Sequence, residues 1–429
     1  MKKLFISGLF LATTFFIYGQ DIDAIINAKE VERIERILAS DSFQGRRSGT
    51  IGNGKAAGFI ETEFQKIGLK KFGNLQNHVQ NFTTLRPKLL ELKANWNGKE
   101  LDQKQVVVVT TLPQLDIDQN SGYEIISVKP GVDLVRHCAK LVQSKKDYIV
   151  FVDESYANDF LRLTGLKRQL FVIPNSVVFI LSGGLPVPSN FAISAKHEFQ
   201  TSNYGNVVAV LPGKKKPEEI VIFSGHFDHL GIGKAVNGDS IYNGANDDAA
   251  GTTAVIMLAK YFKALNNNER TIVFAAFDAE EIGLVGSRYF SQQFDADKVV
   301  AMFNIEMIGT ESKWGRNSAF ITGFEQTNMG EILNKNLEGS GFTFYPDPYT
   351  EQNLFYRSDN ATLARLGVPA HTISTAKMEN EPHYHKPSDH IETLDMQNMA
   401  QIIKSIAISS KSIIAGKDNP TRVKVEDLR

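Results

Sequence analysis

The chain has 429 residues, long enough for one large domain with an insertion or for two domains. At 42% hydrophobic and 22% charged residues, with no low-complexity tract, it falls among ordinary globular proteins rather than disordered or fibrous ones. A net charge of -1 creates no field that would draw nucleic acid or anionic lipid, so no nucleic-acid partner is expected.

Lys2 and Lys3 precede an apolar stretch, Leu4 to Tyr18, and then the small Gly19, so residues 1–19 read as a signal peptide. The apolar run is shorter than the roughly 20 residues of a membrane span. No stable membrane insertion is therefore expected after cleavage, and the mature protein is expected to be exported, to the periplasm or outside the cell. Lys29 to Ser40 has helical spacing, followed by the turn-rich DSFQGRRSGTIGNG and a second amphipathic helix over Lys55 to Gly68. Residues 90–204 change character. Short apolar runs (Val106 to Val109, Tyr148 to Val152, Ser176 to Leu181) alternate with polar turns, as in a strand-rich inserted accessory segment. Cys138, the single cysteine, permits no intrachain disulfide and reads as a packed small residue. Its neighbour His137 points another way on any regular element, so the two do not form a catalytic pair. The run Lys214 to Lys216 follows Leu211-Pro212-Gly213 and reads as a solvated turn.

From Asn206 the pattern becomes β-α-β-α. Val207 to Leu211, Ile220 to Ser224, Thr271 to Phe277, Val299 to Ile305 and Ala370 to Ile373 read as strands. Thr252 to Leu265, Leu284 to Gln293 and Met396 to Ile414 read as helices. Nearly continuous apolar strands alternating with helices predict an α/β fold, a mostly parallel mixed sheet with helices on both faces. The expected division is a main domain of residues 20–89 and 205–416, the inserted segment, and a tail of residues 417–429.

The metal-binding residue types fall at the ends of these strands. His226 and Asp228 follow VIFSG, Glu280 and Glu281 follow IVFAAF, and Glu306 ends VVAMFNI. Ligands of an open α/β sheet bind beyond the carboxyl ends of its strands, so three strands deliver imidazole and carboxylate to one edge. Asp247 and Asp248, in GANDDAAG, sit just before a helix, where carboxylates also serve as caps. Two adjacent acids exceed what a cap needs; Asp247 reads as a ligand and Asp248 as a supporting residue. In EPHYHKPSDH, His383 and His385 alternate and share a face of an extended segment, with Tyr384 opposite. Zinc accepts both donor types, and two zinc ions about 3.5–4 Å apart need a shared carboxylate. The adjacent Glu280-Glu281 pair suits a division in which one acid binds metal and the other accepts a proton.

SGHFDHLG, GANDDAAG, DAEEIGLVGS, NIEMIG and YHKPSD together resemble the five ordered motifs of the co-catalytic zinc exopeptidases. That family includes leucyl-type aminopeptidases, glutamate carboxypeptidase and the inactive transferrin-receptor ectodomain. GRRSGTIGNGKAAGFI is similar to the opening of their catalytic domain, and the likeness covers about residues 30–85 and 205–415. The resemblance implies two Zn2+ ions bridged by Asp247, one completed by His226 and Glu306 and the other by Glu281 and His385. Other divalent transition metals would satisfy the same donors. It further implies Glu280 as general base, Asp228 as the acid orienting His226, and Asp248 as a partner in a cis peptide. Tyr384 would stabilise the oxyanion, and the substrate would be a peptide with a free N-terminus. Glu306 stands where many members have Asp, and Asn360 where many have His. The inserted segment stands where some members carry a protease-associated insertion, with that insertion's motifs degraded. Two alternatives share the fold: a glutaminyl cyclase with one zinc, and a catalytically silent binding ectodomain. A structural calcium site fits less well, because calcium favours all-oxygen ligation.

Overall fold

Consecutive residues of the strand Lys216–His226 bury in opposite directions. Val221 and Phe223 enter one apolar core with Phe274, Phe303, Leu258 and Phe262, whereas Ile222 enters another with Val273, Met302, Phe290 and Leu363. Successive strand residues face opposite sides of a sheet, so a strand apolar throughout needs cover on both. Helices Ala28–Leu38, Ile51–Ile67, Ala250–Leu265 and Met396–Ser409 cover one face. Val285–Ser291 and Asn360–Ala364 cover the other.

The computed structural model describes residues 21–182 and 190–428; the expected signal peptide lies outside them. The sheet runs, in spatial order, through strands Thr343–Pro346, Ser318–Ile321, Ala370–Ser374, Val299–Ile305, Lys216–His226, Arg270–Phe277, Phe191–Leu211 and Val79–Trp96. From Ala370–Ser374 to Arg270–Phe277 the neighbours are parallel, and antiparallel strands extend both sides. This is the α/β architecture expected from the pattern. Two short strands, Ser318–Ile321 and Thr343–Pro346, add an edge that the pattern did not reveal.

Local chemistry sets the element ends. Asn27 accepts a hydrogen bond from the Glu30 amide and so starts the first long helix one residue before the predicted Lys29. Thr50 caps the next helix at Ile51, earlier than the predicted Lys55, and Gly68 ends it at φ 76°, a left-handed value that glycine adopts without strain.

Val79–Trp96 and Phe191–Leu211 form one long antiparallel ribbon, from Val79 opposite Val207 to Trp96 opposite Phe191. Between them lies a second sheet in the order Val106–Val109, Val177–Leu181, Tyr148–Val152, Glu124–Val128. Trp96, stacked on Phe191 and edge-on to Phe151, joins the ribbon to one face of that sheet. Helix Leu134–Gln143 covers the other and buries Cys138, whose thiol burial pushes up to about 12, as befits a packed residue. No helix among the described residues is long and apolar enough to cross a membrane.

Candidate metal centre

The carboxyl ends of the parallel strands all open on one crevice. His226 is the last residue of its strand, Glu306 follows Ile305 directly, and Glu280 and Glu281 stand three and four residues beyond Phe277. Ala279 (φ 63°), Leu284 (φ 57°), Met307 (φ 53°) and His385 (φ 56°) hold left-handed backbone beside or within these loops. Such conformations cost energy in non-glycine residues and persist where surrounding structure over-determines them.

The five side chains anticipated as ligands converge. His226 Nε2 lies 3.2 Å from Asp247 Oδ1, and His385 Nε2 lies 3.2 Å from both Asp247 Oδ2 and Glu281 Oε2. Donor atoms of His226, Asp247 and Glu306 fall within 4.8 Å of one another, as do those of His229, Asp247 and Glu281. Asp247 belongs to both groups. His383 turns away, its Nδ1 3.0 Å from Ser388 Oγ. His229, which the strand-end argument passed over, is fully buried with Nδ1 2.6 Å from Glu281 Oε1. Its signal was a second histidine inside SGHFDHLG.

A layer of buried groups holds this cluster. Asp248 accepts from the amides of His226 (3.1 Å), Gly251 (3.0 Å) and Met307 (3.1 Å), tying three loops together, and the Asp247–Asp248 peptide is cis. Asp389 accepts from the amides of Asn246 at 2.9 Å and Asp247 at 3.1 Å. Asp228 differs from expectation. His226 Nδ1 meets the Asp228 main-chain carbonyl at 3.1 Å, while the carboxylate, 3.8 Å away, accepts the amides of Glu280 (3.0 Å) and Glu281 (3.3 Å). Asp228 thus orients the imidazole through its backbone and the glutamate loop through its side chain. Ser48 donates to Asp228 and to Asp278, joining the N-terminal GRRSG turn to this layer. Arg46, fully buried, donates to the carbonyls of Leu38, Phe227, Asn243 and Gly244, bracing both ligand loops.

The electrostatics fit dications. Burial would raise Asp247, but His226 and His385 hold it well below the usual carboxylate range. Burial, opposed by His226 and aided by Asp247, pushes Glu306 to about 7, and burial likewise drives Glu280 well up. His226 Nε2 and Glu306 Oε2 are buried without an aligned hydrogen-bond partner. Unpartnered buried donors of mixed N and O type, amid excess carboxylate, match the chemistry of zinc. A cavity of about 320 Å³ opens on them, lined also by Glu280, Phe320, Leu354, Arg357, Met378 and Tyr384. Tyr384 stacks on His385 with ring centroids 3.9 Å apart.

Beneath the Ala250–Leu265 helix, Glu35 accepts from Thr253 Oγ1 at 2.8 Å, and burial pushes its carboxyl up to about 8. A group whose pKa is higher folded than unfolded supports the fold below its unfolded value, here 4.5, and that support is lost as pH rises to about 8. The melting temperature of Glu35→Gln is expected to gain on the wild type across that window and to gain no further above it. A difference independent of pH would show Glu35 to be ionised in the fold.

Residues 206–409 match peptidase family M28. A probable leucine aminopeptidase of Trichophyton verrucosum is 28% identical over 209 residues, covering 46% of this chain and 54% of that protein. The chain thus spans about half the length of such relatives. Among solved structures, an aminopeptidase from Aneurinibacillus sp. strain AM-1 superposes with TM-score 0.52 at 19% identity, covering 95% of this chain and 98% of the other. A zinc aminopeptidase from Bacillus subtilis gives TM-score 0.54 at 18% identity over 94% and 97%. The match to peptidase family M28 over residues 206–409, the aminopeptidase relatives and the shared fold agree with one another.

Proposed function

We propose that this chain is an exported two-metal aminopeptidase that removes residues from peptides with a free N-terminus. The observation that carries the reading is the double membership of Asp247, one oxygen toward His226 and the other toward His385 and Glu281. His226 and Glu306 would complete one site, Glu281 and His385 the other, with zinc favoured by the mixed imidazole and carboxylate donors. Bound there, such a pair supplies a Lewis acid for the scissile carbonyl and water that ionises near neutral pH.

The chain's own groups do the rest. Glu280 lines the cavity outside both donor groups, and its raised proton affinity suits it to accept a proton from water and pass it to the leaving amine. Burial, with Asp247, Glu306 and Glu281 nearby, keeps the Tyr384 phenol protonated as a donor to the carbonyl oxygen gaining charge. Phe320, Leu354 and Met378 offer an apolar wall to a substrate side chain. Export is supported by the charged and apolar N-terminal pattern.

Aminoacyl-nitroanilides and their N-acetylated forms, assayed with a metal count on the same sample, test the proposal. Hydrolysis of the free forms alone, with two ions per chain, is expected. One ion together with cyclisation of N-terminal glutamine would identify a cyclase instead. In the same assay His385→Ala is expected to lose zinc and activity while His383→Ala keeps both. The reverse pattern would move the ligand to His383.

A further inference from the structure

Resting on the two-ion reading, we propose that His229 is a positioning residue that fixes the Glu281 side chain, and through it the ion assigned to Asp247, Glu281 and His385. Glu281 divides its two oxygens. Oε2 and Asp247 Oδ2 each stand 3.2 Å from His385 Nε2. Donors around one tetrahedral zinc stand about 3.3 Å apart, so Oε2 is the oxygen disposed as a ligand. Oε1 points the other way, to His229 Nδ1 at 2.6 Å. That separation is as short as a charge-assisted contact, although the pair is rotated off ideal hydrogen-bond alignment, and neither atom has another partner. His229 Nδ1 stands 3.9 Å from Asp247 Oδ2, farther than His385 does.

The ring has little freedom to serve otherwise. It is fully buried and packs on Gly244, where a Cβ would lie 2.5 Å from two ring carbons. The Glu281 amide is already held by Asp228 at 3.3 Å, which leaves the side-chain torsions to be set. His229 sets them. A carboxylate ligand free to rotate pays that entropy on binding metal, and losing such outer contacts costs about 10–100-fold in metal affinity.

Zinc-buffered equilibrium dialysis of the full chain as wild type, His229→Ala and His229→Asn tests this. Asparagine keeps an N–H near the place of Nδ1 but is a poor zinc ligand. The alanine variant is expected to bind one ion as the wild type does and the other about 10–100-fold more weakly. The asparagine variant is expected to recover most of that loss. An alanine variant with both affinities intact overturns the proposal. So does an asparagine variant that is unfolded, or as deficient as alanine, which would make His229 itself a ligand. Fewer than two ions on the wild type would instead sink the two-ion reading.

Discussion

Glu280→Gln is expected to lower kcat by about 10²–10⁴-fold while both zinc ions stay bound. The substitution preserves shape and removes only the capacity to take a proton. Glu280 shares its loop with Glu281, and the Asp228 carboxylate holds both amides, so a neutral amide side chain leaves the loop's anchor intact. Burial, and after it Glu306, Asp359 and Glu281, raise its proton affinity, so a neutral amide in its place adds nothing that the metal-free fold must bury as charge. Steady-state kinetics with a metal count on the same sample decide the matter. Near-normal turnover would strip Glu280 of its role, and lost zinc would make it a ligand.

The second large effect concerns Asp247→Asn. One oxygen faces His226 and the other His385, so the neutral amide deprives both sites at once of a charged donor. Affinity for both ions is expected to fall by on the order of 100-fold or more, beyond the cost of disturbing outer contacts. Activity should fall with it and return in part at high zinc. The amide of residue 247 would still bond to Asp389, so the loop keeps its backbone anchor. A variant that binds one ion normally would show that Asp247 belongs to a single site.

Strand ends were the legible part of the sequence. His226, Glu280, Glu281 and Glu306 each follow an apolar run whose parallel pairing the pattern announced, and that alone directs them to one crevice. What escaped notice was the support beyond Asp228 and Asp248. Arg46 lies in the turn-rich DSFQGRRSGTIGNG, where nothing announced that its guanidinium is consumed by main-chain carbonyls of other segments. Asp389 closes the YHKPSD motif, but its role emerges only where the chain brings it under Asn246 and Asp247. His229 sits three residues from His226, and only the turn after the strand aims it at Glu281. Such roles depend on contacts between segments far apart in sequence, which periodicity does not encode.

The ribbon that carries the inserted sheet bears on the order in which the chain assembles. Pairing Val79 with Val207 from an open chain would close a very long loop, and closure entropy makes such contacts slow to form. The inserted sheet shortens that search: once it forms, Trp96 and Phe191 are already side by side. From that end each further rung toward the main sheet closes only a small additional loop. A sheet that sets Trp96 opposite Phe191 thereby belongs to the same register that places Val79 opposite Val207 at the far end of the ribbon.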